Sequence, residues 1–124
     1  MLYGIGVDLC DINRIKKALV QKGFKERVFS EEEIMYAESK AIPARHYAAA
    51  FAAKEAVAKA TGWGIAGIGL NSLFVRRTDN GPELVFNDDL SKKMKNAKIY
   101  NAFLSISHDG DMAIAMVVLE KEIG

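Results

Sequence analysis

Three groups of side chains in this 124-residue sequence carry functional groups suited to metal and phosphate chemistry. The first is Asp8, which follows Gly4 and Gly6 along GlyIleGlyValAsp. Two glycines leave backbone room beside the acid, as a site for a bulky anion requires, although a plain strand end gives the same pattern. The second is Glu55 with Lys59, four residues apart and so on one helical face, with Ala48, Phe51 and Ala52 as neighbours. On a wet surface such a pair is worth about 0.2–0.5 kcal/mol. Among buried neighbours the same charges need partners, because unpaired buried charge is costly, and a metal ion with a phosphate would serve. The third is His108, at a strand end before the Asp109-Gly110 turn. Alone it reads as a structural histidine bonded to nearby backbone, and His46 supports no catalytic reading either.

Other groupings carry less. Ser30-Glu31-Glu32-Glu33 matches a capping box, so the three glutamates read as the start of a helix and not as a metal cluster. Gly62, Gly64, Gly67 and Gly69 form a flexible loop around Trp63. Their spacing is half of a dinucleotide fingerprint, but they follow a helix where that fingerprint follows a strand. Cys10 reads as a small core residue.

The elements that must position these groups follow from periodicity. Residues 2–9 alternate as a strand, with Tyr3, Ile5, Val7 and Leu9 on one face and Gly4, Gly6 and Asp8 on the other. A helix capped at about Asp11 buries Ile12, Ile15 and Leu19, and Gly23 fits the left-handed position after its last turn. Its outer side presents Arg14, Lys17 and Gln21, with Lys16, Lys22, Lys25 and Arg27 nearby, which is either solvated surface or a face for an acidic partner. Pro43 opens a long alanine-rich helix running to about Ala60, whose small side chains allow close packing on a sheet. Strands over 73–77 and 83–86 flank an Asp79-Asn80-Gly81 hairpin turn, Asn87 caps a short helix to about Asn96, and strands over 101–107 and 111–120 form a second hairpin. The expected architecture is α+β: a single domain over 1–124, with an antiparallel sheet packed against the long helix.

Composition narrows the function classes. Half of the residues are hydrophobic, and 17 Lys and Arg against 16 Asp and Glu leave +1, which argues against disorder and against wholesale nucleic-acid binding. No apolar run approaches the roughly 20 residues of a membrane span. The amino terminus does not read as a signal peptide. One cysteine cannot form an internal disulfide, which suits a cytoplasmic setting.

GlyIleGlyValAspLeuCysAspIle (4–12), PheAlaAlaLysGluAlaValAlaLysAla (51–60) and SerIleSerHisAspGlyAspMetAlaIleAla (105–115), in this order and in a chain of this length, closely resemble the holo-(acyl-carrier-protein) synthases, the small bacterial type of phosphopantetheinyl transferase. The AsnGlyPro turn at 80–82 and the GluArgValPheSer segment at 26–30 extend the likeness over nearly the whole chain. The resemblance implies magnesium-dependent transfer of 4′-phosphopantetheine from coenzyme A to a serine of apo acyl carrier protein, in support of fatty acid biosynthesis, with release of adenosine 3′,5′-bisphosphate. It assigns Asp8 and Glu55 to the metal, Lys59 to the phosphates, Pro82 and His108 to coenzyme A, and Arg14, Lys17 and Gln21 to carrier docking. It further implies a homotrimer with each site at a subunit boundary.

The chemistry agrees with these assignments. Magnesium commonly takes one or two carboxylates plus phosphate oxygens and water. The serine proton is expected to leave to a metal-bound water, with Asp8 or Glu55 as a relay. One departure stands out: many relatives carry an arginine just before the PheAlaAlaLysGluAla segment, where it helps to hold the phosphates of coenzyme A, and this chain has Ala50. Arg45 or a neighbouring subunit is the expected substitute. Two rival readings remain open, a non-catalytic coenzyme A or carrier-binding module of the same fold and a magnesium-dependent diphosphate hydrolase.

Overall fold

A computed structural model describes residues 1–123. The chain runs β1 (Leu2–Asp11), α1 (Ile12–Leu19), α2 (Phe24–Val28), α3 (Glu31–Glu38), α4 (Pro43–Thr61), α5 (Gly64–Ile68), β2 (Leu73–Thr78), β3 (Gly81–Phe86), α6 (Asp88–Asn96), β4 (Ile99–Asp109) and β5 (Met112–Lys121). The strands form two antiparallel sheets where the sequence suggested one: a three-stranded sheet in the order β1-β5-β4 and the β2-β3 hairpin.

Helix boundaries follow local chemistry. Asp11 caps α1 by accepting from the Asn13 N–H at 2.8 Å. The Ser30 hydroxyl accepts from the Glu33 N–H at 3.1 Å, and the Glu33 carboxylate accepts from the Ser30 N–H at 2.9 Å, completing the capping box. Pro43 occupies the first turn of α4, and Gly62 ends that helix at φ +77°, a left-handed conformation that favours glycine. Asn87 caps α6 by accepting from the Leu90 N–H at 2.9 Å.

Three local expectations change. α1 stops at Leu19, so Gln21 falls in the turn beyond it and shares no helical face with Arg14 and Lys17. Gly23, left-handed at φ +83°, begins α2 and does not close α1. The glycine-rich segment after α4 includes a helical turn, α5, because buried Ile68 and partly buried Ile65 anchor it to the core.

Helix α4 lies across the three-stranded sheet, with Ala48, Ala49, Ala52, Ala53 and Ala56 fully buried against Ala113, Ala115, Val117 and Leu119. Alanine lets the two backbones approach, and Gly4 and Gly6 extend the approach to contact. A Cβ on Gly6 would overlap the Ala56 carbonyl oxygen and stand 2.8 Å from the Ala60 nitrogen, while one on Gly4 would overlap the Ala60 carbonyl oxygen. The room beside Asp8 is therefore filled by helix backbone and not left for an anion. Because the glycine face of β1 turns inward, Ile5, Val7 and Leu9 lie exposed on the opposite face of the sheet, where Val7 pairs with Met116 and Val118 pairs with Phe103.

The fold also holds an ion pair the sequence did not announce. Lys54 is completely buried, its ammonium 3.1 Å from Glu33 and donating to the Leu73 carbonyl. Glu33 accepts in addition from the Val75 N–H at 2.9 Å. One capping glutamate thus joins α3, α4 and β2.

Candidate active site

Close packing of β1 on α4 brings Asp8 and Glu55 together. The Lys59 ammonium donates to Asp8 Oδ1 at 3.1 Å and to the Val7 carbonyl at 3.0 Å, so the ion pair forms across the two elements instead of along the helix with Glu55. Burial, reinforced by the charge of Asp8 and opposed by Lys59, pushes the half-buried Glu55 carboxyl above the usual carboxylate range. Asp8 and Glu55 border a cleft of about 350 Å³. Asp8, Glu55 and Arg14 form its polar wall, while Ile15, Ala18, Phe24 and Phe51 form an apolar one.

Cys10 lines the same cleft, but burial and then Asp8 push its thiol up to about 11, so it stays protonated at neutral pH and is no nucleophile. Arg14 stands in the cleft wall as well as on the exposed side of α1, which places it nearer the carboxylates than a pure docking residue need be. Lys17 is exposed on α1, whereas Gln21 is exposed off the helix.

The donor set suits a hard divalent cation. Two mutually repelling carboxylates supply oxygen ligands and gain from neutralisation. No group of three His, Cys, Asp or Glu among the described residues is arranged to hold a metal. A site with two protein ligands fits magnesium, which keeps several waters and accepts phosphate oxygens, better than zinc, which wants three or four nitrogen or sulfur ligands.

The remaining assigned residues lie apart from this cleft within one chain. The His108 Nε2 is 3.3 Å from the Arg45 carbonyl oxygen at the amino-terminal end of α4, the backbone bond expected of a structural histidine. Desolvation holds its imidazole below the ordinary value despite that bond. Pro82 sits on β3 opposite Arg77. Neither His108 nor Pro82 lines the carboxylate cleft. Nothing in the sequence indicated that Tyr36, Lys40, Arg45, His46 and Arg77 would gather near His108, because they come from four segments with no shared motif.

In this α+β chain a strand-borne acid meets a helix-borne acid at a cleft, with a lysine bonded to the first, and these are group types that phosphate and divalent-cation chemistry can use. Residues 4–117 match the family model of the 4′-phosphopantetheinyl transferase superfamily, and the chain belongs to that family. It is 43% identical over 121 residues to a holo-(acyl-carrier-protein) synthase of Clostridium botulinum, covering 97% of this chain and 98% of the relative. A synthase of the same name from Geotalea daltonii is 38% identical, with 98% and 100% covered. Among solved structures, the Neisseria meningitidis holo-(acyl-carrier-protein) synthase superposes with a TM-score of 0.89 at 34% identity, covering 98% of this chain and all of that one. The Bacillus anthracis synthase, solved in complex with CoA (3′,5′-ADP), gives 0.81 at 36% identity, with 98% and 99% covered.

Proposed function

We propose that this chain, as a single domain over residues 1–124, transfers 4′-phosphopantetheine from coenzyme A to a serine hydroxyl of apo acyl carrier protein in a magnesium-dependent reaction. The observation that carries the reading is the meeting of Asp8 and Glu55 in one cleft, with the Lys59 ammonium bonded to Asp8. The serine oxygen forms a bond to the phosphorus bearing pantetheine, the bond from that phosphorus to the bridging oxygen breaks, and adenosine 3′,5′-bisphosphate departs. Magnesium, held by Asp8 and Glu55, would neutralise charge on the diphosphate. Lys59, anchored on Asp8 and the Val7 carbonyl, offsets charge on the leaving bisphosphate. The serine proton leaves toward the carboxylate pair, where Asp8 or Glu55 would relay it to solvent.

Two surfaces complete the reading. Arg14, in the cleft wall, and Lys17, exposed on the same helix, match the acidic character of carrier proteins, where charge complementarity speeds encounter and sets orientation. The exposed apolar stripe of Ile5, Val7, Leu9, Met116 and Phe103 supports a homotrimer, since a contiguous apolar sheet face favours burial against another copy. A trimer would let His108 and Pro82 of one subunit approach the carboxylates of its neighbour and close a site at each boundary. The setting that fits is the cytoplasm, in supply of fatty acid biosynthesis.

Mixing the protein with apo carrier, coenzyme A and magnesium should add one phosphopantetheine mass to the carrier, and Glu55→Gln should abolish the gain. Coenzyme A binding without any mass gain would favour a non-catalytic binding module. Consumption of coenzyme A in the absence of carrier would favour a hydrolase. Sedimentation should give three times 13.6 kDa, and an unaltered mass for Val7→Lys would remove the sheet face from the interface.

A further inference from the structure

Phe24, in the apolar wall of the cleft, stands at one end of a chain of contacts that leads out of the cleft to Glu38. Its ring meets Phe29 edge-on at 6.2 Å, and Phe29 meets Tyr47 at 4.9 Å. Tyr47 is buried, so its hydroxyl needs a partner, and it donates to Glu38 Oε2 at 2.6 Å. The Lys25 ammonium donates to the same oxygen at 3.2 Å and lies 5.7 Å from the Tyr47 ring centroid. Lys25 follows Phe24 in sequence, so the chain of contacts closes on itself, and Glu38 ties together α2, α3 and α4.

Local chemistry accounts for neither the acid nor the helix it grips. Glu38 is the last residue of α3, where the helix dipole disfavours a carboxylate, and no basic residue shares that turn. Helix α2 has five residues, too few to hold together alone, and Gly23 starts it without a side-chain cap. Burial of Val28 and Phe29 secures its carboxyl end, and Lys25 tethers its amino end, where Phe24 sits, to Glu38. An ion pair this open to solvent adds little to stability, so its consequence lies in placement. Tyr47 and then Lys25 hold the Glu38 carboxyl below its ordinary range, while burial and then Glu38 push the Tyr47 phenol up, so donor and acceptor keep these roles at neutral pH. We infer that Glu38 is a positioning residue for carrier recognition: by holding Lys25 and Tyr47 it fixes Phe24 in the cleft wall beside α1, the helix that carries Arg14 and Lys17, and so sets how the serine segment of the carrier enters. The inference rests on a carrier protein being the acceptor and adds which residue outside the cleft governs its entry.

Steady-state transfer kinetics on the intact protein, with apo carrier, coenzyme A and magnesium, test the assignment. Glu38 lies exposed at the surface, so its replacement leaves no buried gap. Glu38→Ala should raise KM for the carrier about three- to tenfold, the scale of one lost charge-assisted hydrogen bond, with kcat and KM for coenzyme A held within about twofold. Glu38→Gln, which keeps an acceptor for Tyr47, should recover part of that rise, and Tyr47→Phe should show part of it. In a Phe24→Ala background Glu38→Ala should add nothing, because no ring remains to be positioned. Losses that add in the double variant, or equal rises in KM for both substrates, would make Glu38 a structural residue and overturn the inference. An unchanged carrier KM in Glu38→Ala would overturn it as well, while leaving the transfer reaction in place. No transfer by the unaltered protein would overturn this inference together with the proposed reaction.

Discussion

Glu33→Gln keeps the shape of a side chain at the centre of the molecule and removes its charge. Glu33 accepts from Lys54 at 3.1 Å and from the Ser30 and Val75 N–H groups at 2.9 Å each, with both ion-pair side chains almost wholly excluded from water. A glutamine there has one acceptor oxygen for three donors, and its own NH₂ must face one of them. Lys54 is left as an uncompensated buried ammonium beside the Leu73 carbonyl, and its pKa is already depressed by burial, with Glu33 opposing that depression. Removing one partner of a buried pair typically costs about 3–5 kcal/mol, and the expectation for Glu33→Gln is the upper part of that range. Lys54→Met should cost less, about 2–3 kcal/mol, because the carboxylate keeps both backbone donors, Ser30 at the start of α3 and Val75 on β2. Combining the two should recover part of the sum, since the double variant has no unpaired charge. Urea unfolding at pH 7, read as midpoint and slope, measures all three. A smaller loss for Glu33→Gln than for Lys54→Met, or strictly additive losses, would refute the claim that Glu33 is the hub joining α3, α4 and β2.

Gly6→Ala should destabilise by about 3 kcal/mol or more, because the added methyl meets helix backbone that has no rotamer to escape into, whereas Gly81→Ala meets no neighbouring atom and is limited by its φ of +105°; equal unfolding midpoints for the two would contradict the packing account. Burial, followed by the charges of Arg77, His108, Lys40 and Arg45, lowers His46 to about 4 from an ordinary 6.5. Between those values the unfolded chain binds the extra proton, so stability should rise with pH from about 4 and level off above about 6.5. His46→Gln should flatten that part of the urea-midpoint profile, and an unaltered slope would assign it to other groups. Lys17→Glu, on α1 but outside the cleft wall, should slow carrier association several-fold, most strongly at low salt, while coenzyme A affinity stays near normal; parallel losses for both ligands would place Lys17 in a structural role.

Local chemistry was legible wherever a few neighbouring residues decide the outcome. Asp11, the Ser30–Glu33 box, Pro43 and Asn87 each start a helix through contacts within three residues, so their sequence alone determined them. The alanine-rich stretch likewise announced close packing on a sheet, and the GlyIleGlyValAsp stretch a strand with glycines and an acid on one face. What fills the space beside Gly4 and Gly6 was not legible, because the answer is the backbone of a helix fifty residues away. For the same reason the sequence placed Lys59 with Glu55, while the fold puts its ammonium on Asp8. Periodicity can group Ile5, Val7 and Leu9 on one face, but only the position of α4 decides that this face is the exposed one. The buried Glu33–Lys54 pair and the cationic cluster around Tyr36 are tertiary in the same sense, since each depends on segments that no local pattern relates. Hydrogen bonds within a turn are fixed by neighbours along the chain, whereas burial and charge pairing are fixed by neighbours in space, and those exist only once α4 has closed onto the sheet.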